Sequence, residues 1–255
     1  MLRTRSLVKF GKVLAPAAAA VAVMLSGAAS AADFSGKRIT IVVPFNEGGG
    51  TDSYTRFMQP YFQKYLPGNP KIIVQNKPGA GGILGGNFFA QKAKTDGTWV
   101  FALSTSTISN FALGDPRVKF KLNEFIPIIL SPRGTMQYVR KDLGLQDIST
   151  LKGRVEKMRS FPKEKLVFGG KTATSAGLSL RVGLSLLGIE TKDVWGMKGN
   201  GPMALAFERG EFTVNFDNTL SYKNNRKKLH ADGTAVPFYT FGVISSDGKI
   251  VRDPV

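Results

Sequence analysis

Residues 38–68 read RITIVVPFNEGGGTDSYTRFMQPYFQKYLPG. Ile39-Thr40-Ile41-Val42-Val43 is a β-branched run of the kind found in a strand, and Pro44 ends it because proline cannot donate to a ladder. The loop Phe45-Asn46-Glu47-Gly48-Gly49-Gly50 follows. Thr51 or Asp52 is then placed to cap a helix, its side-chain oxygen accepting from first-turn amides. Tyr54, Phe57, Met58, Tyr61, Phe62 and Tyr65 recur at three- and four-residue spacing and make one apolar face, until Pro67-Gly68 stops the helix.

The same unit recurs downstream. Lys71-Ile72-Ile73-Val74 is strand-like, Asn76-Lys77-Pro78-Gly79-Ala80-Gly81-Gly82 is a second glycine loop, and Ile83 to Lys94 suits a helix. Thr98 to Leu103 reads as a buried strand ending in Ser104-Thr105-Ser106-Thr107. Phe125 to Leu130 is a further apolar run, and Ser131-Pro132-Arg133-Gly134 is the expected crossing into a second lobe. There Lys165-Leu166-Val167-Phe168 leads into Gly169-Gly170-Lys171-Thr172-Ala173-Thr174-Ser175. The next helix carries Leu178, Val182, Leu186 and Ile189 on one side. Asp193 to Met197 is a short strand, Lys198-Gly199-Asn200-Gly201 a loop, and Pro202 to Arg209 a helix. Phe212 to Phe216 then ends at Asp217-Asn218. Strands alternating with helices imply an α/β fold with a mostly parallel sheet, and 255 residues fit two such lobes. Ligands of such sheets gather at the carboxyl ends of strands, where these loops sit.

Composition narrows the function. There is no cysteine, which excludes a disulfide scaffold, thiol catalysis, cysteine-ligated metal and a lipid-anchored lipoprotein. The single histidine, His230, excludes a histidine-rich metal site. Residues 1–32 have the three parts of a secretory leader: Arg3, Arg5, Lys9 and Lys12 without an acid, an apolar stretch from Val13, and small residues ending near Ala31 or Ala32. Removing the leader leaves 31 basic residues against 18 acidic ones, a net +13. The basic residues are scattered apart from Arg226-Lys227-Lys228, and no nucleic-acid motif accompanies them, so the charge hints at anionic ligands or a merely solvated surface.

A glycine-rich strand-to-helix turn lets a ligand approach the backbone and offers free amides at a positive helix end, a geometry suited to a carboxylate or phosphate. Nucleotide motifs fail: Leu84 stands where a third fingerprint glycine belongs, and no Gly-Lys-Ser/Thr closes a phosphate loop. Ser175 lacks the flanking glycines of a nucleophile elbow, and His230 sits in a basic, polar stretch that reads as surface. Asp217 is open to two readings, a turn or helix cap and an acceptor for a ligand NH or OH.

These motifs together resemble one family. Ile41-Val42-Val43-Pro44-Phe45 with Gly48-Gly49-Gly50-Thr51-Asp52, and Val74-Gln75-Asn76-Lys77-Pro78-Gly79-Ala80-Gly81-Gly82, are similar to the Bug-type periplasmic receptors of tripartite tricarboxylate transporters. Asp96-Gly97, Lys198-Gly199-Asn200-Gly201-Pro202, and Gly210-Glu211-Phe212 leading to Phe216-Asp217 follow the same pattern in order. The resemblance implies a two-lobed Venus-flytrap fold, with residues 33–130 and 235–255 in the first lobe and 131–234 in the second. It implies a non-catalytic, monomeric periplasmic receptor without cofactor, metal or nucleic acid. Such a receptor holds one small organic acid and hands it to a permease of one large and one small subunit.

Carried over by position, the first-lobe site comprises Phe45, Asn46, Gly49, Gly50, Thr51, Asp52, Gly79, Ala80, Gly81 and Gly82, with Thr105 and Ser106 at the cleft wall. Lys171, Thr172, Thr174, Ser175 and Asp217 complete it from the second lobe. The family's glycine-serine run and following histidine are replaced here by Lys171-Thr172-Ala173-Thr174-Ser175, which leaves the ligand open while Lys171 can add a charge for a distal acidic group. Ile250 to Val255 resembles the middle of a family sequence, which implies a missing C-terminal portion that would finish the first lobe. The alternatives are an exported α/β hydrolase-like enzyme, which would need a base beside a nucleophile, and a basic nucleic-acid or surface-binding protein.

Overall fold

The computed structural model of the protein describes residues 32–131 and 134–252. The leader lies outside these residues except for Ala32, as do Pro132-Arg133 of the expected crossing and the final three residues. The first lobe runs β1 (Arg38–Val43), α1 (Gly50–Tyr65), β2 (Lys71–Asn76), α2 (Ile83–Lys92), β3 (Trp99–Phe101) and α3 (Thr105–Ala112). Its sheet has the order β2-β1-β3 with all pairs parallel, Ile41 standing opposite Val74 on one side and Val100 on the other. The β-branched run is the central strand, and Ile41, Val42 and Val43 are buried.

Two details of α1 differ from the reading of the sequence. Gly49 occupies the N-cap with no side-chain bond, so neither Thr51 nor Asp52 caps the helix. Its aromatic residues are also not all turned inward: Tyr54, Met58 and Phe62 are half-buried, whereas Phe57, Tyr61 and Tyr65 are exposed. Three- and four-residue spacing defines a stripe, but the sheet selects which edge of the stripe it covers. The apolar run at 125–130 forms no strand; Pro127 interrupts it, and Ile126, Ile128 and Leu130 are exposed.

The second lobe runs β4 (Thr135–Arg140), α4 (Leu151–Arg159), β5 (Val167–Gly169), α5 (Gly177–Leu186), β6 (Lys192–Val194), α6 (Asn200–Glu208), β7 (Val214–Asn218), α7 (Thr219–Asn225), α8 (Lys227–Ala231) and β8 (Ala235–Thr240). The sheet order is β6-β5-β7-β4-β8. The β6-β5-β7 part is parallel, but β4 is antiparallel to both its neighbours, so this sheet is mixed. Residues 235–240, expected in the first lobe, complete the second sheet instead. A short turn at 232–234 returns the chain beside β4, where Val139 pairs with Val236 and Ala235, Val236 and Phe238 join the core. A hairpin of β9 (Val243–Ile244) and β10 (Ile250–Val251) follows.

The face of α5 is likewise rotated from expectation. Leu180 and Leu184 are fully buried, Leu178 is half-buried, and Val182 and Leu186 are exposed. Leucines occupy both sides of this helix, so periodicity supports either phase and packing against Phe168 and its neighbours decides. The Phe207 ring of α6 is wholly buried and meets Tyr138 edge-on at 4.9 Å. Truncation of such a ring loses its transfer free energy and leaves a cavity, so Phe207→Ala is expected to destabilise the protein by about 3–5 kcal/mol, measured by urea denaturation.

Candidate functional site

The lobes meet along a cleft in which the β1–α1 loop faces the loops that follow β5, β6 and β7. The Asn46 amide donates across it to the Lys198 carbonyl at 3.4 Å, and Asn225 Nδ2 donates to Ser53 Oγ at 3.1 Å. A cavity of about 100 Å³ lies between them, walled by Phe45, Gly49, Gly50, Thr51 and Ser104 to Ser106 from one lobe. The other wall is Thr135, Lys171, Ala176, Asn200, Phe216 and Asn218.

Strand-to-helix connections put helix starts on this wall. Helix α1 begins at Gly50, α3 at Thr105 behind its cap Ser104, α5 at Gly177 behind Ala176, and α6 at Asn200. First-turn amides lack intrahelical acceptors, and each helix start carries roughly half a positive charge. Four such ends border one cavity. Its electrostatic preference is for an anion.

Asp52, although in the first turn of α1, is not on the wall. It is buried, accepting from the Gly48 amide at 3.0 Å, Asn76 Nδ2 at 2.9 Å and Arg56 Nε at 3.0 Å. Burial pushes its carboxyl pKa up, but these bonds and the Arg56 charge prevail and hold it below the usual range. Asp52 therefore fastens the loop. Asn46 is also off the wall, and its Oδ1 is buried with no protein partner.

The second glycine loop stands beside the cavity and not on its wall. Gly79, Ala80, Gly81 and Gly82 do not line the cavity. The Gly82 amide is taken by the Gly79 carbonyl at 3.0 Å, and the carbonyls of Ala80 and Gly81 accept from Asn110 Nδ2 at 3.4 and 3.1 Å. Asn110 Oδ1 in turn accepts from Thr172 Oγ1 at 2.9 Å and lies 2.8 Å from Thr174 Oγ1. Thr174 Oγ1 is also 2.8 Å from Asp115 Oδ2, one hydroxyl proton serving both acceptors. Ser175 Oγ donates to the Thr172 carbonyl at 2.7 Å, shaping the same loop. Thr172 and Thr174 thus join the lobes beside the cavity, Ser175 bracing their loop, and none of the three walls it. Asp115, bonded to Arg117 as well, has its carboxyl pKa driven far below the ordinary range, chiefly by that guanidinium.

Ser106 is on the wall and buried, its Oγ accepting from the Ala176 amide of the other lobe at 3.4 Å, while Thr105 is exposed. Lys171 is the one charged side chain of the wall and is only 3% exposed. Its Nζ donates to Asn200 Oδ1 at 2.7 Å and lies 4.8 Å from the Phe216 ring centre. Burial lowers its pKa to about 8, against an opposing pull from Asp217.

Asp217 stands behind the wall, wholly buried, and neither cavity contact nor helix cap describes it. It pairs with Arg226 Nε at 3.0 Å and accepts from Tyr138 Oη and Asn200 Nδ2, both at 3.0 Å. Asn218 is the cap of α7, accepting from the Ser221 amide at 2.8 Å. Sequence reasoning missed Asn110, Asn200, Asn218 and Arg226 as organisers of the site. Asn200 stood inside the Lys198–Pro202 motif and Asn218 beside Asp217; nothing local marked Asn110. His230 is exposed, with Nδ1 3.1 Å from Tyr222 Oη.

Two outcomes are expected from this geometry. The unfolded chain keeps the Lys171 proton up to its ordinary pKa of 10.5, whereas the folded chain releases it near 8. Unfolding therefore takes up a proton between these values, and stability rises with pH across the window; denaturation of Lys171→Met at pH 7.5 and 10 should show this rise diminished. A Cβ on Gly50 would lie 2.4 Å from Asn218 Nδ2 and 3.2 Å from Ser221 Cβ, both of the opposite lobe. Gly50→Val is expected to wedge the cleft open at a strain of about 1–3 kcal/mol, seen as a larger radius of gyration in small-angle X-ray scattering.

No family model matches the chain. It is 26% identical over 226 residues to the UPF0065 protein in the tcbD-tcbE intergenic region of Pseudomonas sp. (strain P51), covering 87% of this chain and 65% of that protein. It is 31% identical over 129 residues to Protein BugT of Bordetella pertussis (strain Tohama I), covering 50% of this chain and 37% of BugT. The chain thus spans less than two thirds of the length of either relative. Among solved structures, MatC of Rhodopseudomonas palustris with bound malate superposes with a TM-score of 0.66 at 22% identity, over 82% of this chain and 69% of MatC. The likeness to Bug-type receptors read from the glycine loops is shared by the match to BugT over half of this chain, and the fold is that of the periplasmic solute-binding proteins.

Proposed function

We propose that the protein is a non-catalytic, monomeric receptor that captures a small organic carboxylate between its lobes in the periplasm and delivers it to a tripartite-tricarboxylate-type permease of one large and one small subunit. The carrying observation is the cavity wall, where four helix starts and the Lys171 ammonium present one sign of charge and no carboxylate faces them. The likeness to BugT and the malate bound in MatC support the same reading. Phe45, Gly49, Gly50, Thr51, Thr105, Ser106 and Lys171 contact the ligand, with Asn200 and Asn218 beside them. Asn46, Gly79 to Gly82, Thr172, Thr174 and Ser175 hold the closed lobes, and Asp52 and Asp217 support the two walls from behind. Closure is favoured because the ligand binds both lobes better than either alone.

A receptor reading is favoured over a hydrolase by the arrangement of Ser175 and His230. The Ser175 hydroxyl donates to a backbone carbonyl, and the His230 imidazole is engaged by Tyr222 on an exposed helix. No base stands beside that nucleophile.

The test is a thermal-shift screen of aliphatic, aromatic and amino acids at pH 7.5, followed by calorimetry. A cognate acid at a hundredfold its Kd is expected to add about 2.7 kcal/mol of stability and to be recovered chemically unchanged. Gly50→Val should lose that shift. A screen in which no organic acid stabilises the protein, or recovery of a transformed ligand, would overturn the proposal.

A further inference from the structure

Lys171 is an unusual wall residue. Its side chain is almost wholly buried, yet no carboxylate among the described residues is within ion-pair distance of Nζ. The amine has one neutral acceptor, Asn200 Oδ1, and the face of Phe216. The nearest acid, Asp217, is already committed to Arg226, Tyr138 and Asn200. Asn200 is itself fixed from behind, its Nδ2 donating to the Phe216 carbonyl at 2.8 Å and to Asp217 Oδ1 at 3.0 Å. The amide cannot flip without turning a donor toward the ammonium, so the lysine is pinned with donors to spare.

A buried ammonium without a counter-ion is unfavourable, and its depressed pKa of about 8 records that cost. An anion entering the cavity removes it. The opposite wall, Gly49 to Thr51 at the start of α1, offers a helix start suited to one carboxylate. Lys171 belongs to the other lobe, so the two positive features bracket the cavity, whose volume of about 100 Å³ suits a short molecule.

We infer that Lys171, oriented by Asn200, is the specificity determinant of this cleft and selects short aliphatic dicarboxylates over monocarboxylates by pairing with their second carboxylate. The inference rests on the carboxylate-receptor reading above and adds to it the class of ligand and the residue that chooses it. Selection arises because a monocarboxylate of equal length satisfies one wall and leaves the ammonium unpaired against methylene or methyl.

The experiment is isothermal titration of the full chain at pH 7.0 with succinate and with butyrate, which share a four-carbon skeleton. Wild-type protein is expected to prefer succinate by about 30-fold or more, the discrimination of one charge-assisted hydrogen bond. Lys171→Met should bring the two affinities within about threefold, chiefly by weakening succinate. Asn200→Ser, which keeps Lys171 but frees it, should lower succinate affinity by a larger factor than butyrate affinity, so that the preference narrows. Equal binding of both acids by the wild type, a comparison that needs no variant, would overturn the inference while leaving the receptor reading intact, as would a Lys171→Met protein that retains the preference. Failure of every organic acid to bind would instead remove the receptor reading and this inference with it.

Discussion

A positive charge held out of water governs the cleft. Removing an ammonium from solvent is costly even after local relaxation, and Lys171 is compensated only by one amide oxygen and an aromatic face. The obvious neutralising partner, Asp217, is spent on Arg226, so the cluster of two cations and one anion keeps a net positive charge at the wall. The helix starts of α1, α3, α5 and α6 add partial charges of the same sign. Oxygen atoms that could oppose them are turned elsewhere: Asp52 binds back into its own loop, and Asp217 faces the core of its lobe.

The same construction explains the contact between lobes. Asn110 is buried and uses both ends of its amide, its nitrogen on the second glycine loop and its oxygen on the threonines of the opposite lobe. Glycine is required where these surfaces touch. At Gly81 the backbone adopts φ +64°, and a Cβ would come within 2.9 Å of Asn110 Nδ2 and 3.0 Å of Thr172 Oγ1. At Gly50 the conflict is with Asn218 of the facing lobe. Glycines in the two loops therefore serve two purposes, one opening a helix start to the cavity and the other allowing lobe to meet lobe.

Much of the architecture was legible from local pattern. The β-branched run at 39–43, the glycine loops and the recurring helix periods identified an α/β chain with two lobes, because these signals arise within one turn or one strand of sequence. The errors have a common origin in long-range pairing. Residues 235–240 read as a short β-branched and aromatic run, compatible with either sheet, and only their register against β4 assigns them to the second. Aromatic residues on α1 and leucines on α5 likewise define stripes whose inward edge depends on the surface packed against them.

Local pattern established the strand–loop–helix grammar, the glycines at the cleft, and a charged residue at 171, within the run where the resembled family carries glycine and serine. Tertiary structure alone decided what each of these does. Whether a backbone amide faces a cavity or a neighbouring carbonyl depends on atoms tens of residues away, as the Gly79–Gly82 loop shows by turning its carbonyls toward Asn110. Whether an aspartate meets solvent, ligand or arginine depends on what packs beside its strand, and the junction of α7 and α8 brings Arg226 to Asp217. Hydrogen-bonding capacity is written in residue type, but its partner is chosen by proximity, which only the folded chain supplies.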